Sequence, residues 1–206
     1  PPAWAPWLAE MQKPSQGMTR LVEDLRTLSL LEAQESLPDE NVAMAPMLAT
    51  LRREAEALSQ RRHTIVVQDE AGVDLAGSNK ELHSAFSNLV SNAVRYTPVG
   101  GTITVRFARE GDGAVLSVRD TGYGIPSSHL PRITERFYRV STSRSRESGG
   151  TGLGLSIVKH VLNLHQARLD IESEVVQGST FSVHFGPERV EPRLDASLPV
   201  LTDQTA

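Results

Sequence analysis

The 206-residue sequence contains no cysteine. Disulfides, thiolate nucleophiles and zinc-thiolate centres are therefore excluded, and the composition agrees with a reducing compartment. An excess of basic residues is also missing: 21 Lys and Arg against 25 Asp and Glu leave a net charge of -4. Nothing in that balance pulls the chain toward nucleic acid or an acidic membrane surface, and no nucleic-acid partner is expected. No apolar run approaches the roughly 20 residues needed to cross a bilayer, and no signal-peptide pattern opens the chain, so the sequence reads as soluble. There is no internal repeat.

The remaining composition, 39% hydrophobic and 22% charged, is that of a folded globular protein. Residues 18–32 (MTRLVEDLRTLSLLE) place Met18, Leu21, Val22, Leu25, Leu28 and Leu31 at helical spacing. This amphipathic helix either serves a partner or packs on the same domain. The stretch before it, PPAWAPWLAEMQKP, is too rich in proline to assign. A polar linker over 37–41 separates residues 1–36 from a domain over 42–190, and 191–206 reads as a disordered tail.

Within that domain the pattern predicts helices over 47–61, 79–96 (capped by Asn79) and 152–166. Strands are expected over 63–68, 102–108, 114–120, 168–173 and 179–185. Glu110-Gly111-Asp112-Gly113 is turn-like and joins two strands into a hairpin. The expected class is α+β, a two-layer sandwich with helices on one face of a mixed sheet. The polar, aperiodic run between Phe137 and Gly150 reads as a mobile loop of the kind that serves as a lid.

Three segments carry chemistry. In SNLVSNAVRYTP, Asn88 and Asn92 lie four apart and so share a helix face, which Arg95 and Tyr96 continue. An amide oxygen is a hard neutral ligand suited to Mg²⁺, although such a pair alone is usually a solvated helix face. Asp120 ends a strand and opens DTGYGI, where Gly122 and Gly124 let the backbone turn sharply and approach a ligand. Alone, this is most often an ordinary Asp-initiated turn. GGTGLGL, residues 149–155, leads into a helix whose unpaired N–H groups can receive phosphate oxygens. No Gly-Lys-Ser/Thr follows it, as a P-loop requires, and no strand immediately precedes it, as a dinucleotide fingerprint requires.

Together and in this order, the motifs resemble the ATP-binding domain of sensor histidine kinases, within the superfamily of gyrase, Hsp90 and MutL and its Bergerat-type fold. The resemblance covers residues 18–187 and extends to phosphate-regulon sensor kinases through TERFYRV, GGTGLGLSIVKH and RLDIES. It implies ATP and Mg²⁺ as the bound species. NLVSNAVRYTP matches the N box, with Asn92 as magnesium ligand, Asn88 nearer the phosphates, Arg95 on phosphate and Tyr96 on the adenine face. DTGYGI matches the G1 box, with Asp120 reading adenine beside Gly122, Gly124 and Ile125. ERFYR matches the F box, with Phe137 anchoring the lid, Tyr138 beside it and Arg139 toward the γ-phosphate. GGTGLGL matches the G2 box, with Gly150, Thr151, Gly152, Leu153, Gly154 and Leu155 at the nucleotide; Thr180 completes the expected set.

The family's H box, similar to SHELRTP, has no counterpart here. His63, His83, His129, His160, His165 and His184 all lack its flanking residues and read as surface or packing side chains. The expected acceptor is thus a histidine on a dimerisation hairpin of which residues 1–36 are a part. The further implied partners are a second copy of the chain and a response-regulator receiver domain. The implied location is the cytoplasmic portion of a bacterial inner-membrane protein, with membrane contact through upstream segments. The alternatives are an ATP-gated interaction module without transfer, or an anti-sigma-type serine kinase.

Overall fold

The computed structural model describes residues 5–34, 36–140 and 150–193; the expectations for 141–149 and for 194–206 lie outside them. Helix α1 is Ala5–Glu32 and α2 is Met44–Ser59, whose Met44, Met47, Leu48, Leu51 and Ala55 recur at helical spacing and are all buried. In α3, Asn79–Tyr96, the buried apolar set is Leu82, Ala85, Phe86, Leu89, Val90, Ala93 and Val94. Its cap is Ser78 rather than the expected Asn79: Ser78 is extended and its side chain accepts the Glu81 N–H at 3.4 Å. Two capping-type residues stand side by side in the sequence, and only the backbone conformation distinguishes them.

The main sheet has the order β2-β4-β5-β7-β6, built from β2 (Thr64–Asp69), β4 (Thr102–Glu110), β5 (Gly113–Asp120), β6 (Arg168–Glu174) and β7 (Gly178–Phe185). Strands β2 and β4 are parallel and the other pairs antiparallel, as the hairpin at Glu110-Gly111-Asp112-Gly113 requires. Alternate residues of the central strands, such as Leu116 and Val118 or Phe181, Val183 and Phe185, enter the core, where α2, α3 and α4 (Gly154–Leu164) cover them. Phe86 of α3 meets Phe185 edge-on, with ring centroids 6.2 Å apart. This is the expected two-layer α+β arrangement.

A second sheet of three strands, order β1-β3-β8, has no counterpart among the expected elements. It joins β1 (Glu40–Val42), β3 (Val73–Gly77) and β8 (Val190–Pro192), all antiparallel. Glu40 and Asn41, read as linker, and Glu191 and Pro192, read as tail, are therefore strand residues. Asp74 of β3 is buried and accepts the Met44 N–H at 2.9 Å, which satisfies a free donor at the start of α2.

Helix α1 begins well before the expected Met18. Pro6 falls in the first turn, where a missing N–H costs nothing, and the helix continues past Pro14. Its apolar residues divide between two sides. Leu28 and Leu31 are buried and Leu21 is partly buried against the core, whereas Met18, Val22 and Leu25 stay exposed. One stripe thus packs on the same domain through α4, and the other is exposed.

Candidate functional site

The carboxyl end of α3, the loop after β5, the start of α4 and the β6–β7 end of the sheet enclose one cleft of about 540 Å³. Asn88 and Asn92 project into it from adjacent turns of α3, followed by Arg95 and Tyr96. The Asn88 amide nitrogen donates to the Ser84 carbonyl at 2.9 Å, which fixes the side chain. Its Oδ1 faces the first residue of α4, where a Cβ on Gly154 would come within 2.8 Å of it. Among the described residues no hydrogen bond engages the Asn92 amide, which leaves its oxygen available to a ligand.

The loop after β5 is folded onto the end of α3 and the β6–β7 turn. The Tyr123 N–H donates to the Tyr96 carbonyl at 3.1 Å and the Ile125 N–H to Ser173 Oγ at 2.7 Å. Gly124 has φ +69°, and a Cβ there would overlap the Glu174 carbonyl, so both the dihedral and the contact require glycine. Asp120, 6% exposed, accepts the Gly122 N–H at 2.8 Å. Burial raises its pKa above the usual carboxylate range, an effect opposed by the N–H groups of Gly122 and Ser179.

Another part of the wall is formed by the segments on either side of residues 141–149. The Phe137 N–H donates to the Gly152 carbonyl at 2.8 Å, and a Cβ on Gly152 would crowd Phe137 Cα at 2.9 Å, so the two segments meet backbone to backbone. Tyr138 is held by its hydroxyl, 2.6 Å from His129 Nδ1, and by the Arg132 guanidinium 4.5 Å from its ring centre. Arg139 and Gly150 complete this side of the cleft. Helix α1 reaches it as well: Thr151 Oγ1 donates to Asp24 at 2.5 Å, and Arg136 pairs with Glu32.

Of the residues singled out in the sequence, Asn88, Asn92, Arg95, Tyr96, Asp120, Gly124, Ile125, Tyr138, Arg139, Gly150, Thr151, Gly152, Gly154 and Leu155 line this single cleft. Gly122, Phe137, Leu153 and Thr180 do not. Gly122 lies beneath the loop, against the Tyr96 carbonyl, and Leu153 is fully buried. Phe137 is 57% exposed and anchors through its backbone, not its ring. Thr180 lies outside the lining: its neighbours Ser179 and Phe181 line the cleft, and successive strand residues face opposite sides. The period-two pattern of β7 could have shown this. Sequence reasoning also missed Arg20, Asp24, Tyr123, Val175 and Val176, which reach the cleft from a separate helix, from within a motif and from a hairpin turn.

A family model described as histidine kinase-, DNA gyrase B-, and HSP90-like ATPase matches residues 77–189, which run from the end of β3 to the turn before β8. The chain belongs to this ATPase family. Similar members include the phosphate regulon sensor protein PhoR of Pseudomonas aeruginosa, 51% identical over 92% of this chain and 43% of that protein. PhoR of Haemophilus influenzae is 36% identical over 84% of the chain and 40% of its own length. The chain thus spans less than half the length of these relatives. A mycobacterial sensor histidine kinase, MprB, superposes with a TM-score of 0.62 at 27% identity, covering 75% of this chain and 99% of that one. By name these relatives are two phosphate regulon sensor proteins and one sensor histidine kinase.

The cleft fits the family's nucleotide. Its lining combines a buried carboxylate, two arginines, a helix start and the Asn92 amide.

Proposed function

We propose that the chain binds Mg²⁺-ATP in this cleft and donates the γ-phosphoryl group to a histidine on a dimerisation hairpin, for relay to an aspartate of a response regulator. The observation that carries the reading is the convergence of the Asn helix, Asp120, Arg139 and the start of α4 on one cleft. Asp120 would accept the adenine amino group, and Tyr96 would lie against the ring. Asn92 would hold Mg²⁺, which would supply charge neutralisation at the phosphates. Arg95 and Arg139 would neutralise further charge, and the free N–H groups at the start of α4 would cradle the phosphates.

Phosphoryl transfer asks mainly for positioning and charge neutralisation, which these groups supply. A carboxylate at position 88 could activate water; an amide cannot take the proton. Transfer to a histidine is therefore favoured over hydrolysis. The parent protein would be a dimeric, phosphate-regulon-type sensor kinase of the bacterial inner membrane, with this portion in the cytoplasm. No helix among the described residues is long and apolar enough to cross a membrane.

The test is to mix the purified chain with γ-labelled ATP, Mg²⁺ and a separate protein carrying an H-box hairpin. Acid-labile label on the hairpin histidine is the expected result. Tight ATP binding with no label would leave only an ATP-gated interaction module, and acid-stable label on serine would mean a serine kinase.

A further inference from the structure

The turn between β6 and β7 consists of Val175, Val176 and Gln177, closed by the Gln177 N–H on the Glu174 carbonyl at 3.0 Å. Val176 has φ +72°, in the left-handed region that a β-branched side chain avoids and where such a turn usually places glycine or asparagine. Val175 is 52% and Val176 83% exposed, so neither is supported by the core. An exposed and strained valine is locally unfavourable twice over, and backbone strain of this kind gathers at ligand clamps.

The turn is held firmly against the loop that carries Asp120. The Val176 N–H donates to the Tyr123 carbonyl at 2.8 Å, Ser173 Oγ receives the Ile125 N–H, and Gly124 lies directly beneath the Glu174 carbonyl. Gly178, φ +113°, closes the other side, where a Cβ would overlap the Asp120 carbonyl. Both valines line the same cleft as Asp120, Tyr96 and Tyr123, and the turn that carries them rests on the Asp120 loop. Apolar branches that line the same cleft as a buried carboxylate suit a flat heterocycle with a polar edge, and offer nothing to a phosphate.

We infer that the Val175–Val176 turn is an apolar cap over the purine end of the site, a specificity element in which Val176 touches the nucleoside. This rests on the ATP reading above. In Val176→Gly the backbone strain is removed and the contact is lost, whereas Val176→Ile keeps the branch. Val99, 73% exposed but outside the cleft, provides a control.

Titration calorimetry of the whole chain with Mg²⁺-ATP should show affinity weakened about five- to tenfold in Val176→Gly and Val176→Ala, the loss expected when ~50 Å² of apolar contact is removed. Val176→Ile and Val99→Ala should bind as the original chain does, and Val176→Gly should melt no lower than it. Unchanged ATP affinity in Val176→Gly, or equal weakening in Val99→Ala, would overturn the cap while leaving the ATP site standing. Failure of the unmodified chain to bind ATP would instead overturn the site itself.

Discussion

Replacing Gly124 with alanine should separate a dihedral cost from a contact cost, because Gly72 supplies a matched reference. Gly72 has φ +63° and nothing within 4 Å of the point a Cβ would occupy, whereas Gly124 has φ +69° and sits beneath the Glu174 carbonyl. Gly72→Ala therefore incurs only the left-handed penalty, about 1–2 kcal/mol. Gly124→Ala incurs that penalty and must also lift the loop by about 1.4 Å, since its Cβ would lie 2.0 Å from the Glu174 carbonyl oxygen and ordinary van der Waals contact begins near 3.4 Å. That movement disturbs two hydrogen bonds, Val176 N–H to Tyr123 O at 2.8 Å and Ile125 N–H to Ser173 Oγ at 2.7 Å. At about 1 kcal/mol each, the total is about 3–4 kcal/mol. Urea denaturation of both variants, combined with calorimetry for Mg²⁺-ATP, measures the difference. The expected result is normal ATP affinity in Gly72→Ala, and in Gly124→Ala a lower urea midpoint together with at least tenfold weaker binding. Equal midpoints and equal ATP affinities would refute the claim that the hairpin turn sets the shape of the Asp120 loop.

Asn88→Glu should raise ATP hydrolysis above a slow starting rate, measured as phosphate release; a fast rate in the unmodified chain would contradict the assignment of Asn88. His165 is 1% exposed, with Nε2 receiving the Ser78 N–H at 3.0 Å and Nδ1 placed 2.8 Å from the Val161 carbonyl, and burial lowers its pKa. The unfolded chain, near pKa 6.5, then binds the proton more readily, so this stability is complete above about pH 6.5. It is lost on acidification by up to about 1.4 kcal/mol per pH unit, a slope that should flatten in His165→Gln urea titrations. Burial raises the Asp120 pKa, which favours the neutral form in the folded state and makes the charge destabilising once pH exceeds that value. Asp120→Asn should thus hold or raise the melting temperature at pH 7.5 while ATP affinity falls at least tenfold.

The long amphipathic helices and the chemical motifs were legible because each signal is local. Asn88 and Asn92 need only a helix to share a face, and DTGYGI and GGTGLGL need only their glycines. The small sheet was not legible. Its strands β1 and β8 have three residues each, too few to display a period, and β3 carries Asp74 and Gly77, which are poor strand formers. Those strands exist because partners distant in sequence bury Leu75 completely. The contribution of α1 to the cleft through Asp24 was equally hidden, since only the packing of Leu28 and Leu31 brings that carboxylate to Thr151.

The small sheet also bears on how the chain folds. Leu75 pairs with Val42 on one side and Val190 on the other, so the two ends of the domain lie about 10 Å apart, two strand spacings. Closing β8 onto β3 spans more than half the chain, and such non-local pairings form slowly and reward the chain only when much else is in place. The domain's ends therefore come together late, as a clasp closed over a core already assembled by α2, α3 and the large sheet. Because entry and exit lie side by side, a tug on α1 loads this clasp through β1 at the same time as it loads the cleft wall through Asp24 and Glu32.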